Sequence, residues 1–252
     1  IYEQPVSENV RNFLKCEYLS EKFNCSLKQD DIWSIKSSII TLIEMSDFIF
    51  RINIKMELLK ELERILVYLK YLKDNERIDL IKYDEFCNAV KTHMEELNNS
   101  DSNPSKPISD NDFLMQIKSK CHIPAGNNFF DMPAYLNFLS SNKTFIIENI
   151  NNWYSPFNII FLSSILILDI KRTISKFKNI SITDSFFETK LDKSTKIDLI
   201  RVKLEKNNNI YPDISVSTQN INILFKTSYG NNRLSKVIDG SLDFELSMSA
   251  SK

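Results

Sequence analysis

A chain of 252 residues, 42% of them hydrophobic, can bury a substantial core, enough for one large domain or two modest ones. Its 32 basic and 33 acidic residues leave a net charge of -1, which excludes a protein that coats nucleic acid non-specifically. Only three glycines are present, with neither GxGxxG nor GxxxxGK[ST]. That excludes the glycine-rich phosphate loops, and no cofactor is expected.

The first 180 or so residues follow a helical period. Ser7 followed by Val10, Phe13 and Leu14 predicts a first helix running toward Phe23. Asp30 or Asp31 is a suitable N-cap for a second, DIWSIKSSIITLIEM. In the third, Met56, Leu58, Leu59, Leu62, Ile65, Leu66, Leu69 and Leu72 form one stripe, with Glu57, Lys60, Glu61, Glu63 and Lys70 off it. A fourth covers roughly Tyr83 to Leu97. The polar, proline-punctuated LNNSDSNPSKPISDN (97–111) reads as an exposed loop. Helical signal returns at Asp112 to Lys120, near Tyr135, and from Thr144 to Phe177. Within the last stretch, FNIIFLSSILILDI (Phe157 to Ile170) is too short to span a bilayer and reads as a buried core helix. No membrane insertion is expected, and the start carries no charged-then-apolar leader.

After about Asn179 the period becomes two. Ile200, Val202 and Leu204 alternate with Arg201 and Lys203. Ile221, Ile223 and Phe225 alternate with Asn220, Asn222 and Leu224. Leu242, Phe244, Leu246 and Met248 alternate with Asp243, Glu245, Ser247 and Ser249. Strands with one apolar and one polar face, joined by turns at Asn207 to Asn209 and Gly230 to Asn232, make an antiparallel sheet. The expected class is α+β: a helical domain over 1–179, then a small antiparallel β domain over 180–252, with residues near 1–5 free to pair with the latter.

Four cysteines (Cys16, Cys25, Cys87, Cys121) and two histidines (His93, His122) lack metal-ligand spacing, so no metal is expected and the thiols read as buried residues of a cytosolic protein. The segment HIPAGNNFFDMPAY (122–135) looks most like chemistry. An acid–base pair of His122 and Asp131 would need a nucleophile and an orienting group, and neither suggests itself. The architectural reading is favoured: Gly126 in a turn needing positive φ, Phe129 or Phe130 anchoring the loop, and Asp131 capping a helix with Pro133 in its first turn. No catalytic residue is expected.

Charge placement is more informative. At about 100° per residue, Arg11, Lys15 and Lys22 share a narrow sector of the first helix, with Phe13 opposite and Tyr18 at its border. Arg51 and Lys55 lead, at i and i+4, into the line of Leu58 and Leu62 on the third. An apolar groove with a cationic mouth would suit a short acidic peptide with hydrophobic anchors.

Five stretches carry a resemblance: YEQPVSENVRNFLKCEYL (2–19), MELLKELER (56–64), IPAGNNFFDMP (123–133), IYPDIS (210–215) and LDFELS (242–247). In their order and spacing the chain resembles the ZapD family of Z-ring-associated proteins of bacterial cell division. The resemblance implies a cytoplasmic, non-enzymatic homodimer acting at the division site. It would grip the C-terminal tail of FtsZ through basic residues, kept here at the matching positions Lys15, Arg51 and Lys55, and bundle FtsZ filaments; with the charge placement above, the expected tail site is Arg11, Lys15, Tyr18, Lys22, Arg51 and Lys55. Asp112, Leu136, Asn220 and Leu224 depart from the family's basic character. The alternative reading is a helical adaptor for an acidic peptide of a different partner.

Overall fold

The computed structural model describes residues 1–29, 31–75, 77–101, 103–191, 196–205, 209–217, 219–228, 234–236 and 241–251. After the short strand β1 (Tyr2–Pro5) come α1 (Glu8–Lys28), α2 (Ile32–Arg51), α3 (Ile54–Asp74) and α4 (Leu80–Asn99). The helical run continues with α5 (Lys106–Ser109), α6 (Asp112–Lys120), α7 (Pro133–Leu139) and α8 (Lys143–Ile174). The β region holds β2 (Lys178–Ile182), β3 (Phe186–Lys190), β4 (Lys196–Lys203), β5 (Ile210–Val216), β6 (Asn220–Ser228), β7 (Leu234–Lys236) and β8 (Leu242–Ser251). This is the expected α+β class. The chain divides into two compact units, Ile1–Arg11 with Leu168–Lys252, and Asn12–Ile167, the boundaries falling inside α1 and α8.

In the helical unit, short polar side chains start the helices. Asp31 stands in extended backbone, and its Oδ1 accepts from the N–H groups of Trp33 and Ser34 at 2.9 and 3.0 Å, satisfying donors that α2 cannot satisfy itself. Asp79 does the same for α4, and Asn111 for α6. α3 buries Ile54, Leu58, Leu62, Ile65, Leu69 and Leu72, and each such burial stabilises the fold by about 1.5–3 kcal/mol. Glu61, expected off the stripe, is also buried, with its Oε2 3.2 Å from Arg64 Nη1 one turn on. α8 buries Ile150, Phe157, Ile160 and Phe161 and runs through Pro156. No described helix is long and apolar enough to cross a membrane. The 97–111 stretch is more ordered than its composition predicts. Pro104 and Ser105 are buried, and the Ser105 hydroxyl donates to the Ser46 carbonyl at 3.2 Å.

In the other unit, strands β1-β4-β8-β2 form one antiparallel sheet and β3-β6-β5 a second, with β7 also on β6. Their facing sides enclose Ile200, Val202, Ile221, Ile223, Phe225, Phe244 and Leu246. The Phe244 ring lies 4.9 Å from Phe225 and 5.5 Å from Phe187, centroid to centroid. The alternation of β6 is as expected. That of β4 and β8 is not, because the second face of their sheet is covered by the end of α8. Arg201, expected on a polar face, is buried; its Nη2 donates to the carbonyls of Arg172 (2.7 Å) and Ser175 (2.9 Å) and to Ser247 Oγ. Ser247 and Ser249 are buried with it, while Met248 is partly exposed. A bulge between Ile197 and Leu199 presents Asp198 to Lys171, Nζ to Oδ2 2.8 Å. The expected turns at Asn207–Asn209 and Gly230–Asn232 fall largely outside the described residues; of these positions only Asn209 is described.

Candidate functional site: a cationic face at the α1, α2 and α3 junction

The face begins on α1. Phe13, Cys16 and Phe23 are buried and fix which side of the helix looks outward. That side carries Lys15, Tyr18 (64% exposed) and Lys22. The cross-helix contacts to α2 run antiparallel. Lys22 Nζ sits 2.7 Å from Glu44 Oε2, and Lys15 Nζ lies over the Phe48 ring, 5.6 Å from its centroid. Arg51 is three residues beyond Phe48, exposed at the end of α2. Arg11 is one turn before Lys15 on α1, with Nε 3.3 Å from Glu8 in an exposed pair.

Arg51 and Lys55 do not share a helix, contrary to the i, i+4 reading. Ile52 is extended (φ -130°, ψ 143°), so α2 stops at Arg51 and α3 restarts at Ile54. Helical periodicity cannot see such a break, because no proline or glycine marks it. The break opens a cavity of about 230 Å³ at the corner, floored by Ile49, Ile54, Pro104 and Ile160 and rimmed by Phe50, Ile52, Lys55 and Asp101. Phe50 is 79% exposed there, a residue that periodicity alone assigns to nothing. The Lys55 ammonium donates to the Ser100 carbonyl at 2.8 Å, which uses one of its three donors.

The six cations and aromatics are therefore unequal. Lys22 is neutralised by Glu44 and Arg11 faces Glu8. Among the described residues, Lys15 and Arg51 have no carboxylate at ion-pair distance. Of the four departing positions, Asp112 and Leu136 are exposed on α6 and α7. Asn220 donates to Glu188 Oε1 at 2.7 Å, and Leu224 is half-buried in β6.

The 122–135 segment is architecture of an unexpected kind. His122 and Asp131 are both exposed, and among the described residues no hydrogen bond joins them. The Asp131 carboxylate accepts from Asn128 Nδ2 at 2.5 Å and caps nothing; Met132 heads α7 without a side-chain cap. The positive φ (55°) belongs to Ala125. Gly126 is required for closeness instead, since a Cβ there would lie 2.5 Å from the Lys120 carbonyl oxygen. Phe129 anchors the loop, while Phe130 is 87% exposed. The anchor point is Lys36, whose ammonium meets the rings of Trp33, Phe129 and Tyr135 at 4.8–5.3 Å and donates to the Asn127 carbonyl at 3.0 Å. Burial pulls the Lys36 ammonium below its ordinary value, and it raises the Cys16 thiol to about 12. Cys16 and Cys87 are buried as expected of structural thiols; Cys121 is half-buried and Cys25 exposed. No described group of three or more His, Cys, Asp or Glu is placed to hold a metal.

Three relatives named cell division protein ZapD align along nearly the whole chain. That of Janthinobacterium sp. (strain Marseille) is 27% identical over 249 residues, covering 98% of each chain. That of Coxiella burnetii (strain RSA 331 / Henzerling II) is 26% identical, covering 97% of this chain and 95% of its own. That of Shewanella baltica (strain OS223) is 26% identical, covering 99% and 98%. The family model described as ZapD, cell division protein, matches residues 14–224. With that pattern met across most of its length, the chain belongs to the ZapD family of cell division proteins.

Proposed function

We propose that the protein is a non-enzymatic cell division factor that binds the acidic C-terminal tail of FtsZ on the α1, α2 and α3 face. As a cytoplasmic homodimer at mid-cell, it would cross-link FtsZ filaments. The observation that carries this reading is the pair of cations, Lys15 and Arg51, without carboxylate partners among the described residues. Both border exposed aromatic surface, Tyr18 on one side and Phe50 on the other. Unanswered cations beside aromatics suit an extended acidic segment: charge steers the encounter, and the rings supply contact area. Arg11 and Lys22 stand on the same helix and would exchange their surface carboxylates for those of the tail, a near-neutral exchange. Lys55, at the cavity rim, spends one donor on the Ser100 carbonyl and has two more.

The test is co-sedimentation of FtsZ filaments with the protein at low and at high salt. Exposed charges are screened over roughly 10 Å at 0.1 M salt, so the gain in pelleted FtsZ is expected at low salt and lost as salt rises. The double variant Lys15→Glu/Arg51→Glu is expected to weaken tail binding about tenfold or more, since each reversal replaces attraction by repulsion. No gain at low salt, or a gain that persists with tail-less FtsZ, rejects the reading. Tight binding of some other acidic peptide, with none to the tail, would favour the adaptor alternative.

A further inference from the structure

Two lysines of α1 face one ridge of α2 and meet opposite answers there. Lys15 and Lys22 lie two turns apart on the same side of α1, with the exposed Tyr18 between them. Glu44 and Phe48 lie one turn apart on α2. The helices run antiparallel at this contact, so Glu44 meets Lys22 and Phe48 meets Lys15. Glu44 Oε2 is 2.7 Å from Lys22 Nζ. The half-buried Phe48 ring takes the Lys15 ammonium at 5.6 Å from its centroid, and among the described residues no carboxylate stands at ion-pair distance from that ammonium. Asp47, the acid beside Phe48 in sequence, pairs with Lys118 of α6.

A ring and a carboxylate restrain a lysine differently. The carboxylate neutralises the ammonium, so an incoming acid must displace it and the exchange is close to neutral. The ring attracts the ammonium through its quadrupole and leaves the charge uncancelled. It also restricts the long side chain before a ligand arrives, which lowers the conformational entropy that binding removes. Lys15 is exposed, so a peptide carboxylate can reach the ammonium from solvent while the ring holds it from below.

We propose that Glu44 and Phe48 are the specificity-determining pair of the acidic-peptide site. Phe48 positions Lys15 as the standing contact for a peptide carboxylate, and Glu44 withholds Lys22 by competing for it from within the chain. This rests on the tail-binding reading above and deepens it. Two cations that look alike on a helical wheel are thereby made unequal. A sparsely acidic segment finds Lys15 alone, whereas one with carboxylates dense enough to displace Glu44 recruits Lys22 as well.

The test measures the affinity of a fluorescein-labelled FtsZ tail peptide by anisotropy at low salt, in two double-mutant cycles. In the first, Glu44→Gln is made in the native protein and in Lys22→Met. Releasing Lys22 should tighten binding about two- to fivefold, the factor that corresponds to one exposed ion pair, and the gain should vanish in Lys22→Met. In the second, Phe48→Leu is made in the native protein and in Lys15→Met. It should weaken binding about two- to fivefold in the first background and leave the second unchanged, since the cation that the ring positions is gone. A merely structural role of Phe48 would weaken both alike. Glu44 is exposed, so its cycle stands even where Phe48→Leu lowers the thermal midpoint. Unchanged affinity in Glu44→Gln, or an effect of either substitution that persists undiminished without its lysine, overturns the pair while leaving the charge-based reading standing. Absence of peptide binding by the native protein overturns both.

Discussion

At the scale of single residues, His93 ties stability to pH near neutrality. It is half-buried on α4, with Nδ1 3.0 Å from the hydroxyl of buried Ser163. Burial pushes its pKa below the ordinary 6.5, against a smaller opposing pull from Glu96. As pH falls through 6.5, the unfolded chain takes a proton that the native protein still refuses, so every step favours unfolding. The stability tied to neutral His93 is therefore complete above about pH 6.5, declines toward the native pKa and is constant below it. Urea midpoints between pH 7.5 and 5 should fall in the native protein and fall less in His93→Gln; parallel curves would reject the assignment. Residue-scale chemistry was the least legible part of the sequence. Gly126 was conspicuous as one of three glycines, yet the strained φ sits on Ala125, and glycine answers a carbonyl six residues back. Asp131 has the right spacing for a cap, but Asn128 reaches its carboxylate first. Both outcomes depend on how a loop folds over itself, which local propensity does not encode.

At the scale of elements, legibility followed the range of the forces. The cap Asp31 and most of the stripe of α3 depend on residues a turn apart, and they emerge from the sequence directly. The alternation of β6 does too, since only one of its faces is buried. β4 and β8 misled because α8, distant in sequence, covers their second face and turns Arg201, Ser247 and Asp198 inward. The same cover welds the unit together. Arg172 holds Glu3 of β1 by two hydrogen bonds of 2.9 and 2.6 Å, and Lys171 holds Asp198 with both side chains over nine-tenths buried. Removing one partner of a buried pair takes from the other charge its buried counter-ion, so Asp198→Asn is expected to cost about 3–5 kcal/mol of unfolding free energy. Replacing both, in Lys171→Met/Asp198→Leu, should recover most of that loss, because apolar packing then replaces a desolvated pair. Denaturant titration of the two variants decides it. A single substitution costing under about 1 kcal/mol would mean that the pair is solvated in practice.

At the scale of the whole molecule, the candidate site was legible in its residues and illegible in its geometry. The basic residues of α1 stand out on a helical wheel, Arg51 and Lys55 stand in line with the α3 stripe, and the family resemblance points to Lys15, Arg51 and Lys55 as well. Which of them are unanswered follows only from Glu44 and Glu8, and the cavity follows only from the break at Ile52. The proposed bridging role makes a demand of its own. A dimer with two tail sites links filaments only while both sites find tails on different filaments. Adding protein to a fixed amount of FtsZ should first raise the pelleted fraction, as bridges form. Once subunits exceed tails, each tail is met by a separate dimer whose second site finds no free tail, and the pelleted fraction should fall again. The turning point should lie near one subunit per FtsZ, and it should shift to higher protein when Lys15→Glu/Arg51→Glu lowers occupancy. A pelleted fraction that climbs without a maximum far beyond equal stoichiometry would exclude two-site bridging. Bundling would then have to come from charge neutralisation along the filament.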